Sequence, residues 1–196
     1  MKTVDVLAYM HAQKDRHAKT AFTVAELANV AGVTAPALNV QLTRMRKQGL
    51  VERVAHGRYC LPGQSDLGEL VQSLDRAAYI TGAAALHAHG LVTQAPTQVD
   101  CFTNRRHNRS RRRRTVHGAL VFVCVSGRIY APPAQGAFAP AEKALLDFVY
   151  VARRQGADPA AMVTLRGLRN LDRAHVGSIS ERYPVSVRDQ VTRMLA

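Results

Sequence analysis

The stretch FTVAELANVAGVTAPALNVQLTRMRKQGLVERVAHGRYCL, Phe22 to Leu61, constrains the fold more than any other, because start and stop signals follow one another in close order. Thr23 and Glu26 stand at capping-box spacing, so the Thr23 hydroxyl can serve the Glu26 amide while the Glu26 carboxylate reaches back to the Thr23 amide. Phe22 and Leu27 flank that start as a hydrophobic staple. The helix is expected to end near Asn29, and Gly32 frees the chain for a tight turn. Thr34 is a second N-cap, and Pro36 is tolerated in the first turn because its missing N–H has no partner to lose there. From Ala35 to about Gln48, Leu38, Leu42 and Met45 fall on one face, and Gly49 stops the helix. Two short alternating runs around His56-Gly57 then predict a β-hairpin. A further helix over residues 3–16, with Val4, Leu7, Ala8 and His11 on one stripe, precedes the set. Helix, helix, turn, helix and hairpin is the order of a winged helix-turn-helix.

With Leu38, Leu42 and Met45 turned inward, the opposite face shows Pro36, Asn39, Val40, Thr43, Arg44 and Lys47. Asn and Arg make bidentate contacts with adenine and guanine edges, and Thr or Val meets a thymine methyl. Thr34 and the free amides at the helix start suit a phosphate, and Arg53, His56 and Arg58 on the hairpin suit a minor groove or backbone. The competing reading is a winged helix that only contacts protein, with its charges solvated.

Charge favours a polyanionic partner. The chain of 196 residues carries a net charge of +13, with pI about 10.5. Residues 1–61 hold nine Lys/Arg against four acids, residues 62–100 one against four, residues 101–152 nine against two, and the remainder eight against four. Positive charge therefore lies in separate blocks around an acidic spacer. The densest run is RRHNRSRRRR, with Arg105, Arg106, Arg109, Arg111, Arg112, Arg113 and Arg114. It can grip nucleic-acid phosphates, dock an acidic partner, or be a solvated loop. No aromatic residue is interleaved, which disfavours stacking on single strands. If all seven arginines met phosphates, the log–log salt slope would be near −6, at about 0.9 per contact.

The rest of the chain predicts an α+β protein. Residues 1–61 are the expected DNA-binding domain, residues 62–76 a linker turning into a helix, and residues 77–196 a mixed α/β domain with a helical tail. AAYITGAAALHAHGL predicts an Ala-rich helix ending at Gly90. QVDCFTN and GALVFVCV predict strands that hold the Arg run between them as a long basic hairpin loop. APAEKALLDFVYVARR predicts a helix with Glu142 in its first turn and Arg153 and Arg154 in its last, matching the macrodipole. Cys60, Cys101 and Cys124 are expected to be small buried apolar residues. His87 and His89 diverge on a helix and lack a third ligand, so no metal or cofactor is expected. No phosphate loop, nucleophile elbow or paired carboxylate stands out, so the protein is not expected to be an enzyme. No apolar run reaches bilayer length, and the apolar part of MKTVDVLAYMHAQKD is too short for a signal peptide. A cytoplasmic protein is expected. The absence of a heptad or apolar seam favours a monomer binding half-sites cooperatively.

YITGAAALHAHGLVTQAPTQVDCFTN from Tyr79 and PAEKALLDFVY from Pro140 resemble the AbiEi family, the antitoxins of AbiE toxin–antitoxin and phage-defence systems. The likeness rests on Tyr79–Leu86, His89-Gly90-Leu91, Thr93–Pro96, Glu142–Asp147 and the HGRY tip at His56–Tyr59, and it spans Thr3 to Arg154. The resemblance implies a winged helix that represses its own operon at promoter inverted repeats. It also implies a second domain that joins in repression, presents a basic surface, and counters a nucleotidyltransferase-like toxin in the type IV manner, without a stable complex. The alternative is a winged-helix regulator of other genes whose second domain is a sensor or docking module.

Overall fold

The computed structural model describes residues 3–107 and 111–196, and shows a mixed α and β chain with two sheets among those residues. Arg109 lies outside the described residues. The chain opens with α1 (Thr3–His17), β1 (Phe22–Thr23), α2 (Val24–Ala31), α3 (Ala35–Lys47), β2 (Glu52–Ala55) and β3 (Arg58–Cys60), whose strands form an antiparallel sheet in the order β1-β3-β2. Leu38, Leu42 and Met45 are buried against Phe22, Leu27, Val6 and Met10. Among the described side chains of α1, Val6 and Met10, one turn apart, are buried, while Ala8 and His11 are exposed. The bulkier pair faces the core in place of the stripe expected from Ala8 and His11.

Local signals at the helix starts are met in part. The Thr23 Oγ1 accepts from the Glu26 amide at 3.0 Å. The Glu26 carboxylate does not complete a box, because it accepts instead from the Tyr9 hydroxyl (2.7 Å) and Lys19 Nζ (2.6 Å), tying α1 to α2. That bond, with burial and the Glu26 charge, pushes the Tyr9 phenol up to about 12. Gly32 closes α2 in the left-handed region at φ 63°, with its amide on Ala28 and Asn29 carbonyls. Thr34 holds the N-cap position of α3 without a side-chain capping bond. Pro36 occupies the second helical position, one of the two whose amide such a cap would serve.

The stretch expected as a linker turning into a helix holds α4 (Leu67–Leu74), capped by Asp66, whose Oδ1 accepts from the Glu69 amide at 2.7 Å. Leu70 and Leu74 of α4 pack on Val54, Ala55 and Cys60 of the first sheet, and Val71 packs on the second. Glu69 accepts from the Thr20 hydroxyl (2.6 Å) and the Ala21 amide (3.1 Å). The Val116 amide donates to the Val54 carbonyl at 3.1 Å, a direct backbone tie between the two sheets.

The second sheet contains β4 (Tyr79–Thr81), β5 (Gln98–Thr103), β6 (Arg112–Thr115) and β7 (Gly118–Cys124), in the order β4-β5-β7-β6. Tyr79–Thr81 was expected within a helix. Its aromatic and β-branched residues instead pair with Phe102, Cys101 and Asp100 of β5, and α5 (Gly82–Ala88) begins only afterwards. The basic hairpin is also corrected. β5 and β7 are parallel, so they cannot be the two arms of one hairpin, and Arg112–Arg114 are themselves strand at the sheet edge. Gly118 is dictated by crowding: at φ 97°, an added Cβ would lie 2.4 Å from the Thr97 carbonyl oxygen.

β7 reads as a continuous apolar run because both faces are covered. Leu120 and Phe122 pack toward α4 with Val99 and Cys101, while Val121 and Val123 pack with Phe102 against the helical layer. That layer comprises α5, α6 (Ala141–Arg154) and a tail of α7 (Pro159–Met162), a 3-10 turn (Leu168–Asn170), α8 (Arg173–Ser180) and α9 (Val185–Leu195). Within it Lys143 and Asp147, both buried, form an ion pair at 2.8 Å. Tyr183 donates to Asp147 Oδ1 at 2.5 Å and Thr81 to Oδ2 at 2.7 Å, linking α6 to the α8–α9 turn and to β4. Cys60 and Cys101 are buried, whereas Cys124 is exposed at the end of β7.

Candidate nucleic-acid interface

The α3 face is built by subtraction. Once Leu38, Leu42 and Met45 enter the core, Pro36, Asn39, Val40, Thr43, Arg44 and Lys47 are left exposed together, with Thr34 at the helix start. Val40 is 56% exposed, an apolar surface of the kind a thymine methyl would cover. Thr43 Oγ1 donates to the Asn39 carbonyl at 2.8 Å, which commits its proton to the helix and leaves its methyl and lone pairs for a partner. Arg46, not singled out from the sequence, is exposed in the same last turn.

On the hairpin the three candidates part company. Gly57 turns the tip at φ 66°. Arg53 and His56 are exposed and bonded to one another, Nη2 to Nδ1 at 2.9 Å. Arg58, expected to reach for DNA, is half-buried and committed elsewhere: its Nη2 donates to the Ser73 carbonyl of α4 at 2.9 Å and its Nη1 to Gly57 at 3.3 Å. Burial and the nearby Arg113 charge lower its pKa from the usual guanidinium value. Arg58→Met is therefore expected to cost about 1.5–3 kcal/mol in thermal or denaturant unfolding, the range for a hydrogen bond from a charged group, and to leave the salt slope of any DNA binding unchanged. A flattened slope would return Arg58 to the DNA-facing set.

The Arg run is divided by its own architecture. Its start is anchored by the buried Asp75, which accepts from Thr103 Oγ1 (2.6 Å) and from the Ala77 amide (2.9 Å) and pairs with His107 Nε2 (2.8 Å). Burial opposes ionisation of Asp75, but these bonds outweigh it and hold the carboxyl below its usual range. Arg105 stays largely exposed, 3.9 Å from Asp75. The His107 ring lies against Phe122, with centroids 4.7 Å apart. Arg106 and Arg111 open onto a pocket of about 240 Å³ shared with Arg154. Along β6 the side chains alternate: Arg112 and Arg114 are exposed, while Arg113 is half-buried across the Phe122 ring at 5.6 Å. Arg112 Nη1 donates to Gln98 Oε1 at 3.1 Å.

Strand β6 and the hairpin tip meet in a cleft of about 690 Å³. Arg53 and His56 line one side, Arg112, Arg113 and Arg114 the other, and Val54, Leu74 and Val116 lie between them. Two basic blocks far apart in sequence thus share one concave surface. No sequence signal announces this meeting, which depends on α4 packing both sheets and on the Val116–Val54 tie.

Residues 15–62 match the family described as transcriptional regulator, AbiEi antitoxin. That stretch is similar to the AbiEi family over about a quarter of the chain. No curated protein matches the chain. The AbiEi match covers the end of α1, α2, α3 and the whole hairpin, so it includes one wall of the cleft and stops before β6 supplies the other. The family's description is that of a transcriptional regulator. Among the described residues, no cluster of His, Cys, Asp and Glu could hold a metal ion, and no helix is long and apolar enough to cross a membrane.

Proposed function

We propose that the protein is a DNA-binding antitoxin that represses its own operon. In this reading residues 1–61 are a winged helix-turn-helix, α3 lies in the major groove, and the β2–β3 hairpin is the wing. Residues 77–196 extend the grip through Arg112 and Arg114 and carry the antagonism of a nucleotidyltransferase-like toxin, in the cytoplasm. The observation that carries the reading is the shared cleft, where Arg53 and His56 of the AbiEi-like stretch face Arg112–Arg114. Phosphate contacts from both walls position the protein without selecting sequence, and selection falls to Asn39, Val40, Thr43, Arg44 and Lys47. A monomer on each inverted half-site, bound cooperatively, fits the absence of an apolar seam in the sequence.

Footprinting on the DNA upstream of the protein's own gene tests the proposal. Paired protected half-sites are expected. Asn39→Ala or Arg44→Ala should lower discrimination by about 1–3 kcal/mol at one or two base positions while leaving affinity for random DNA nearly unchanged. Protection at promoters of other genes and none upstream of its own would support a regulator of other genes instead.

A further inference from the structure

Behind β5, on the side of the helical layer, lies a cavity of about 420 Å³, within the size range of small-ligand sites. Ala83 of α5, Phe148, Val151 and Ala152 of α6, and Met162 of α7 give it apolar walls. Asp100 of β5 places the one carboxylate of the lining among them. This carboxylate is poorly served. Its Oδ1 accepts from Gln98 Nε2 at 3.0 Å, and Oδ2 lies beside Gly82, where an added Cβ would sit 3.6 Å away, with no donor among the described residues. Burial pushes the Asp100 carboxyl above its usual range. The Arg111 charge acts on this carboxylate without hydrogen-bonding it, so a cation in direct contact still adds to the site, because charge-assisted hydrogen bonds are about twice as strong as neutral ones.

Gln98 also connects the cavity to the edge strand β6, since Asp100, Val121 and Arg112 share one face of the sheet. Its Nε2 donates to Asp100 while its Oε1 accepts from Arg112 Nη1 at 3.1 Å. One amide thus bridges the cavity carboxylate and an arginine of the basic cleft.

We propose that this cavity binds a small apolar amine, its ammonium on Asp100 and its hydrocarbon against Phe148, Val151 and Met162, and that occupancy weakens DNA binding through Gln98 and Arg112. An ammonium on Asp100 competes with the Gln98 amide, and a released Gln98 no longer holds Arg112 in the cleft. The coupling, but not the binding, rests on the DNA-binding reading above.

Calorimetric titration of the whole chain with 2-phenylethylamine, phenylacetate and 2-phenylethanol tests the pocket without DNA. The amine is expected to bind at least tenfold more tightly than the alcohol, and phenylacetate to give no heat. Asp100→Asn should weaken the amine at least tenfold, and Ala83→Phe, which fills the cavity without touching its charge, should abolish binding. An amine no tighter than phenylacetate, or one indifferent to both substitutions, overturns the site. In gel retardation on upstream DNA, saturating amine should raise the half-binding protein concentration at least threefold for wild type and leave Gln98→Ala unmoved. Calorimetric binding with no change in wild-type retardation overturns the coupling. A protein that retards no DNA at all overturns the DNA-binding reading and leaves the calorimetry to decide the pocket.

Discussion

Replacing Arg53, Arg112 and Arg114 together by alanine is expected to weaken binding to every DNA sequence alike, by about two orders of magnitude at about 0.15 M salt. The salt slope should flatten by about 2.7, since each phosphate contact contributes about 0.9. These three are chosen by geometry: they are exposed on the two walls of the cleft, whereas Arg58 and Arg113 are half-buried on Ser73 and Phe122. The number matters, because counting the whole Arg run would give a slope near −6 from that run alone, while the β6 alternation leaves only Arg112 and Arg114 of Arg112–Arg114 fully exposed. Gel retardation or fluorescence anisotropy at several salt concentrations checks both quantities. A triple variant with wild-type affinity and slope would place the DNA elsewhere and make the cleft a surface for an acidic protein. Loss confined to the cognate sequence would mean that these residues read bases.

The two basic surfaces differ in how legible they were. The α3 face could be read directly, because a Leu38–Leu42–Met45 spacing inside a capped segment fixes which side of a helix is buried and therefore which residues remain outside. The Arg run could not be read in this way. Strands are recognised by apolar alternation, and an edge strand is protected by charges that erase that signal, so Arg112–Arg114 looked like a loop. Period-two alternation marks β5 as a strand and a continuous apolar run marks β7, but neither says that they pair with each other in parallel. Arg58 illustrates the same limit at one side chain: its partner Ser73 lies in a helix that was expected only as the end of a linker. Glu26 obeyed its local spacing only halfway, because Tyr9 and Lys19 offered donors that no pattern within α2 reveals. The cavity at Asp100 was likewise hidden, being assembled from α5, α6, α7 and β5.

Removing the Lys143 ammonium should destabilise the second sheet and its helices more than any surface change. Lys143→Met leaves the Asp147 carboxylate without its cation at a site of 0% exposure, and breaking a buried pair in this way costs about 3–5 kcal/mol. For a chain of this length that corresponds to a fall in Tm of roughly 6–20 °C. The variant can escape part of the cost by protonating Asp147, and its pH dependence then reveals the escape. Burial pushes the Asp147 carboxyl upward, and Lys143, which opposes that shift together with the Tyr183 and Thr81 bonds, is gone. The folded variant therefore holds a proton that the unfolded chain releases above about pH 4. Its stability is greatest below that point and falls as pH rises toward the raised folded pKa, by up to about 1.4 kcal/mol per unit. Thermal unfolding of Lys143→Met should accordingly lose ground to wild type between acid and neutral pH, and Lys143→Met with Asp147→Asn should remove that slope while keeping a partner for Tyr183 and Thr81. A Lys143→Met variant as stable as wild type at neutral pH would mean that the hydrogen bonds from Tyr183 and Thr81 hold the carboxyl without help from the ammonium, and that the EKALLD helix owes its docking to apolar packing alone.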